Sequence, residues 1–467
     1  MSLINIGLTG LGAANAGLST TSHNLVNMNT PGYTRQRIGL ASQVGPGGVG
    51  AGVGVTGIDR LADGFLNTSL WRQSSALQQS NTQYRYMSKT EQILTADSSS
   101  INVGLDRFYS ALSEAAVNPQ DMALRQSILS QADAVVQRFN NMDAQLKSQR
   151  KQLDSQLDSS ISQTNSLLAS IAEMNKQIKE AGARGQTMTD VLDARDQAIS
   201  QLSEQLNVNV QYKPDGTVDI NLDQGQPLVS GNTASQLDMA RDGVISIKRG
   251  DASFAMPRNI GGNIGGLMTF RDKDLVEKQK ELDTMAYGFA QQFNTVHKQG
   301  YDINGNLSGK DMFSGADSVE GAASRLSLAL KDPADLALGD DVDIGPGNGN
   351  NLTKLIALKD TPLAITLSPA DQAEYGVTVA GLNGKTLSKA YTGICGDWAI
   401  QTAQIKAELT SNTSLYKQAF NDRESVCGVS KDEEAGNLMQ YTQMYQSSAK
   451  IVSTAQQLFD TTLAMFN

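Results

Sequence analysis

The amino-acid sequence predicts an α+β protein that is mainly α: a terminal α-helical coiled coil, a long helical bundle, and a β-rich outer domain from the middle of the chain. Three observations carry that expectation. Both ends of the 467-residue chain repeat apolar residues in alternating steps of three and four, the spacing of a helical seam. A run from Gln126 to Ala181 keeps a helical period without a breaker. Between the helical stretches, residues 207–265 are cut by close-set turn signals, PDG, DQGQP and GG, as short strands are.

At the N-terminus the stripe is Ile4, Leu8, Leu11, Ala14, Leu18, Thr21 and Leu25. Gly7, Gly12 and Gly17 weaken it, each by about 1 kcal/mol relative to Ala inside a helix. The helix is therefore expected to depend on a partner. It stops at Asn24 to Asn29, and Thr30-Pro31-Gly32 forces an extended residue and a turn. The C-terminal stripe, Leu438, Tyr441, Tyr445, Ser448, Val452, Ala455, Phe459, Thr462 and Phe466, is stronger. Asp432, Glu433 and Glu434 stand in its first turn, where the helix dipole favours anions. Such narrow seams have nowhere to bury their stripe alone, so both ends are expected to fray in the single chain and fold on assembly.

Arg35 to Arg60 reads as strands around a glycine loop. The Gln126–Ala181 run buries a stripe of Ile128, Val135, Phe139, Met142, Leu146, Leu153, Leu157, Ile161, Leu168, Ile171 and Ile178. At 1.5 Å per residue it spans roughly 80 Å, a bundle strut. Helices follow at Asp190–Leu206, Asp272–Lys298 and Asp397–Arg423, with turns and short strands over 300–390. The layout is nested. Residues 1–60 with 425–467 form the terminal coiled-coil domain. Residues 61–206 with 266–308 and 391–424 form the helical bundle, and 207–265 with 309–390 the β-rich outer domain.

Composition argues against several functions. Only 18% of residues are charged and 5% aromatic, and the net charge is −10. Nucleic-acid binding is not expected, because a phosphate backbone would be repelled and no basic stripe compensates. Lys147–Lys151 and Arg271–Lys280 interleave with acids at helical spacing and read as solvated helix faces. Cys395 and Cys427 are too few for a disulfide framework, and the helix between them would hold the sulfurs some 40 Å apart. No stretch reaches the roughly 18 consecutive apolar residues of a membrane span, so no membrane partner is expected. The absence of Lys or Arg before Arg35 leaves no secretory n-region, which suggests a cytoplasmic protein or export that cleaves nothing.

Tempting motifs lack their context. Gly45-Pro46-Gly47-Gly48-Val49-Gly50 matches GxGxxG, but strand rather than helix follows, so a hairpin loop is expected. Asp302 to Ser308 imitates a calcium loop, yet its sixth and twelfth positions are Leu307 and Phe313, leaving an Asx-type turn. His23 and His297 have no carboxylate-spaced partner, and His297 sits near a helix end where a cation would suit the dipole. No catalytic, cofactor-binding or metal-binding residue is expected, and no enzyme.

Several segments together resemble bacterial flagellar axial proteins. Ser19 to Gln36, with its Asn-Leu-x-Asn and Thr-Pro-Gly-Tyr elements, is similar to their N-terminal signature. Thr189-Asp190-Val191-Leu192-Asp193-Ala194-Arg195-Asp196-Gln197 with Leu202-Ser203 resembles a mid-chain motif of the hook-associated proteins of the hook–filament junction. Asn294-Thr295-Val296-His297 with Gly300, Gly305 and Gly309 does so too, as does the tail from Asp432 through Tyr445 to Leu458-Phe459-Asp460. Ala435-Gly436 departs from that tail motif. The resemblance implies a subunit on the bacterial flagellum outside the cell, exported unfolded by the type III route. It implies a ring of copies, contact with the hook protein and the adjacent junction protein, and an export chaperone on the C-terminal helix. The contact residues expected to carry assembly are Leu8, Leu11, Leu18 and Leu25 with Leu438, Tyr445, Val452, Phe459 and Phe466. The alternatives are another axial protein (hook, rod or second junction protein), a secreted adhesin or effector, or a hydrolase with a deep pocket in 207–390.

Overall fold

The structure, a computed structural model, describes residues 3–44, 50–341 and 347–465. The chain opens with α1 (Leu3–Asn27), the strands β1 (Gln36–Val44) and β2 (Gly50–Arg60), then α2 (Gly64–Thr95), α3 (Ile101–Ala115), α4 (Met122–Ala183) and α5 (Thr189–Gln205). Seven short strands follow: β3 (Val208–Tyr212), β4 (Val218–Leu222), β5 (Pro227–Ser230), β6 (Thr233–Ala234), β7 (Gln236–Met239), β8 (Ile245–Arg249) and β9 (Ala252–Ala255). Next come α6 (Gly262–Thr269), α7 (Leu275–His297), β10 (Phe313–Ser314), α8 (Ala322–Arg325) and β11 (Ser327–Leu328). The chain ends with α9 (Asn350–Ala357), α10 (Gln372–Leu382), α11 (Leu387–Cys427) and α12 (Lys431–Ala464). A single π-helical turn, Phe270–Asp274, joins α6 to α7. The long terminal helices and small antiparallel sheets in the middle agree with the predicted fold class.

Two compact units divide the chain. One comprises Met1–Gln79, Asp158–Gly265 and Thr410–Asn467; the other Ser80–Leu157 and Gly266–Leu409. In the first unit, β3-β4-β5-β6 form one antiparallel sheet and β7-β8-β9 another. Val218, Ile220 and Leu222 alternate inward along β4, as a half-buried strand must. Asn175 of α4 fastens the first sheet, donating to the Val218 and Gly231 carbonyls and accepting from the Val218 amide. Asn165 does the same for β7, at both backbone groups of Leu237.

The second unit has an aromatic core. Phe108 of α3, Phe139 of α4, Phe289 and Phe293 of α7, and Phe313 of β10 lie with ring centroids 4.6–6.4 Å apart. The stripe predicted from Ile128 to Ile178 is buried at every position. Residues 309–390 differ from the expected β-rich segment: among the described residues they hold only two-residue strands beside short helices. Just before them the expected Asx turn is present, since Asp302 Oδ1 accepts from the Asn304 and Asn306 amides. Turns alone do not pair strands.

Two further expectations need correction. The Arg271–Lys280 face is not wholly solvated, because Arg271 and Lys278 are buried. Arg271 reaches Asp154 and Asp272, while Lys278 pairs with Glu281 at 2.6 Å and stands over the Trp398 ring. His297 is no surface cation. It is fully buried, its Nδ1 lies 2.9 Å from the Lys310 carbonyl, and its Nε2 accepts from the Ala337 amide. Burial pushes its pKa down, which favours the neutral ring. Gly45 to Val49 lie outside the described residues; β1 and β2 on either side pair antiparallel.

Candidate assembly interface

α1 contains no charged residue and packs against α12 and the β1–β2 hairpin. Its buried face is built from small and polar side chains: Gly7, Gly10, Ala13, Ala14, Gly17, Thr20, Thr21 and Asn24. A Cβ at Gly7 would stand 2.6 Å from the Val452 side chain, and one at Gly17 2.5 Å from the Tyr441 ring. The helices approach because those side chains are missing. Of the predicted contact residues, Val452 meets this face and is half-buried. Leu8 is 53% exposed, while Leu11, Leu18 and Leu25 are half-buried. Leu438, Tyr445 and Phe459 remain 39%, 45% and 59% exposed. Phe466 lies outside the described residues. The large apolar side chains thus mostly lie off the face that α1 and α12 share.

The turn after α1 follows from its residues. Pro31 fixes φ at the second position of a β-turn and Gly32, at φ +80°, supplies the left-handed third. The turn closes with the Tyr33 amide 3.2 Å from the Thr30 carbonyl. Asn24, almost fully buried, ties α1 to the chain beyond the turn. Its Oδ1 accepts from the Tyr33 hydroxyl at 2.7 Å and the Gln36 amide at 3.0 Å, and its Nδ2 donates to the Gln36 carbonyl at 2.8 Å. Burial, and behind it Asp193, raises the Tyr33 pKa, so the phenol remains a donor.

The mid-chain motif meets this turn. Arg60, at the end of β2, reaches Asp193 at 2.7 Å and Asp196 at 2.8 Å, and donates to Thr34 Oγ1. Arg423 of α11 donates to the same hydroxyl and to Asn67. Arg195 is buried and donates to the Gly216 carbonyl at 2.7 Å, tying α5 to the first sheet. Burial pushes the Asp193 carboxyl pKa up, opposed by Arg60, and pushes the Arg195 pKa down. The C-terminal helix is held at its start. Ser430 caps it by accepting from the Glu433 amide, and Arg35 pairs with Glu433 and, at 2.7 Å, with buried Glu434. The Arg35 amide also donates to the Cys427 carbonyl.

Thus the N-terminal, mid-chain and C-terminal segments singled out in the sequence form one polar joint. Arg60, Arg35 and Arg423 were not singled out as functional residues, and neither were the glycines as contact positions. Gly10 and Gly17, seven apart on the buried face, were the available signal. In 207–390, a cavity of about 270 Å³ beside Gly288, Gln292, Leu358 and Ile365 has no titratable side chain among its lining residues. Both cysteines are free, and no helix among the described residues is long and apolar enough to cross a membrane.

The chain is thus mainly helical, with its two terminal helices packed on each other and large apolar side chains left exposed along them. The family described as the flagellar hook-associated protein FlgK helical domain matches residues 87–313, and the flagellar basal body rod FlgEFG protein C-terminal family matches 426–465. Flagellar hook-associated protein 1 of Salmonella typhimurium is 31% identical over 99% of both chains. That of Escherichia coli is 30% identical over 98% of both, and that of Bacillus subtilis 28% over 96% of this chain and 95% of its own. The flagellar hook junction protein FlgK from Burkholderia pseudomallei has the same fold, with a TM-score of 0.66 at 18% identity, over 78% of this chain and 100% of its own. The chain belongs to the flagellar hook-associated protein 1 family.

Proposed function

We propose that this chain is a structural subunit of the bacterial flagellum, outside the cell, at the junction between hook and filament, and that it has no catalytic role. It reaches that place by type III export and assembles through its terminal helices into a ring of copies. The ring touches the hook protein on one side and the adjacent junction protein on the other. Before export a chaperone covers the C-terminal helix. The observation that carries this reading is the division of labour on α1 and α12. Small side chains face each other, while Leu8, Leu438, Tyr445 and Phe459 are exposed along both helices. An exposed apolar stripe of this kind calls for further protein surface. The three-layer arrangement, with terminal coiled coil, helical bundle and β-rich outer part, belongs to the same reading.

The test is Leu8→Asp and Phe459→Asp, separately and together. Both positions are exposed, so the isolated chain should keep its stability to within about 0.5 kcal/mol. Neither variant should restore swimming to cells that lack the chain, or appear on their hooks. Normal assembly of the double variant would refute the reading.

A further inference from the structure

A cavity of about 220 Å³ lies where α1, β1 and α12 meet, with Thr21, Arg35, Gln36, Arg37, Glu434 and Tyr441 among its lining residues. Two of them bring buried polar atoms that no protein group satisfies: Gln36 Nε2, a donor, and Glu434 Oε2, an acceptor. Both residues are more than nine-tenths buried, at 6% and 1% exposure. The Gln36 backbone is held by Asn24, and Glu434 Oε1 takes the Arg35 guanidinium at 2.7 Å. Leaving such atoms unpaired costs about 1–3 kcal/mol each, so a native chain supplies partners.

The charges decide what the partner is. A cation would stand beside the Arg35 and Arg37 guanidiniums, and an anion beside the Glu434 carboxylate. The occupant is therefore neutral and must both accept and donate. A water molecule needs only about 10–15 Å³ of such space and two to four polar partners. Thr21 and Tyr441, which also line the cavity, carry hydroxyl groups as well.

We propose that this cavity is a hydration site, in which an ordered water accepts from Gln36 Nε2–H and donates to Glu434 Oε2. The water joins β1 to the first turn of α12, next to the direct Arg35–Glu434 pair. It makes the base of the terminal helix pair a wet joint, in contrast to the dry glycine face above it. The inference concerns the single chain and stands apart from what the helices assemble with.

Two measurements on the full chain test it. A crystal structure that resolves ordered water should show density within hydrogen-bond distance of both atoms. An empty cavity, or a Gln36 side chain turned to a protein acceptor, would overturn the proposal. In solution, Gln36→Met and Glu434→Gln should each lower the thermal midpoint by about 2–4 °C. The double variant should fall clearly less than the sum, because either change alone already strands the water. Additive losses would mean that no shared water links the two side chains.

Discussion

Asn24 gains its importance from three hydrogen bonds made in a space that water does not reach. Replacing it with alanine strands the Gln36 amide and carbonyl and leaves the Tyr33 hydroxyl with only His23 Nδ1, at 3.0 Å. Asn24→Ala should cost about 2–3 kcal/mol, read from urea unfolding, with faster amide exchange over residues 24–36. Loss of less than about 0.5 kcal/mol would show that the turn holds itself. His297 makes a different prediction, because both ring nitrogens are occupied and only the neutral ring, protonated on Nδ1, satisfies both neighbours. Its folded pKa lies below its unfolded one, so the stability it contributes is complete above about pH 6.5 and declines as pH falls toward the folded value. Nitrogen chemical shifts should report the Nδ1–H tautomer at pH 7 with no titration near 6.5. A ring that charges at its ordinary pKa would contradict the geometry.

Glycine separates what a helix wants alone from what it wants in a pair. At Gly12 a Cβ would meet nothing within 4 Å, whereas at Gly17 it would collide with the Tyr441 ring. Gly12→Ala should therefore stabilise the chain by about 0.4–1 kcal/mol. Gly17→Ala, with the same gain in propensity, should destabilise the α1–α12 pair, measured by thermal unfolding and by protection of residues 3–27. Equal effects from the two substitutions would mean that α12 does not approach α1 as described. This contrast also marks where the sequence could be read. The stripe of α4 was legible because large apolar residues on one face repeat over 62 residues. The partner face of α1 was not, since hydropathy says little about a face made of Gly, Ala and Thr. The leucines drew attention to the flank instead.

Across the whole chain, legibility falls with sequence separation. The Arg60–Asp196 pair spans 136 positions and the Arg35–Glu434 pair 399. No periodicity or local motif carries such information; only the fold brings these charges together. Residues 309–390 failed for the opposite reason, because their turn residues are plain while the lengths of any strands between them are not. Stability should be just as uneven. Only Glu434, Ser448 and Ala455 are fully buried along α12, so little apolar contact holds that helix in the single chain. Amide exchange of the purified chain should be faster over 3–27 and 431–464 than in α4. Protection at both ends should rise further in assembled hooks, and ends as strongly protected in the monomer as α4 would argue for a self-contained protein.

The absence of charge from α1 has a bearing on how the terminal pair answers dissolved salt. Along the glycine face there is nothing for counterions to screen. The ionic contacts of this pair gather at its base, where Arg35 meets Glu433 and Glu434. Rising ionic strength therefore loosens one end of the zipper and leaves its length untouched, so that opening, when it comes, starts from the Thr-Pro-Gly-Tyr turn and travels outward.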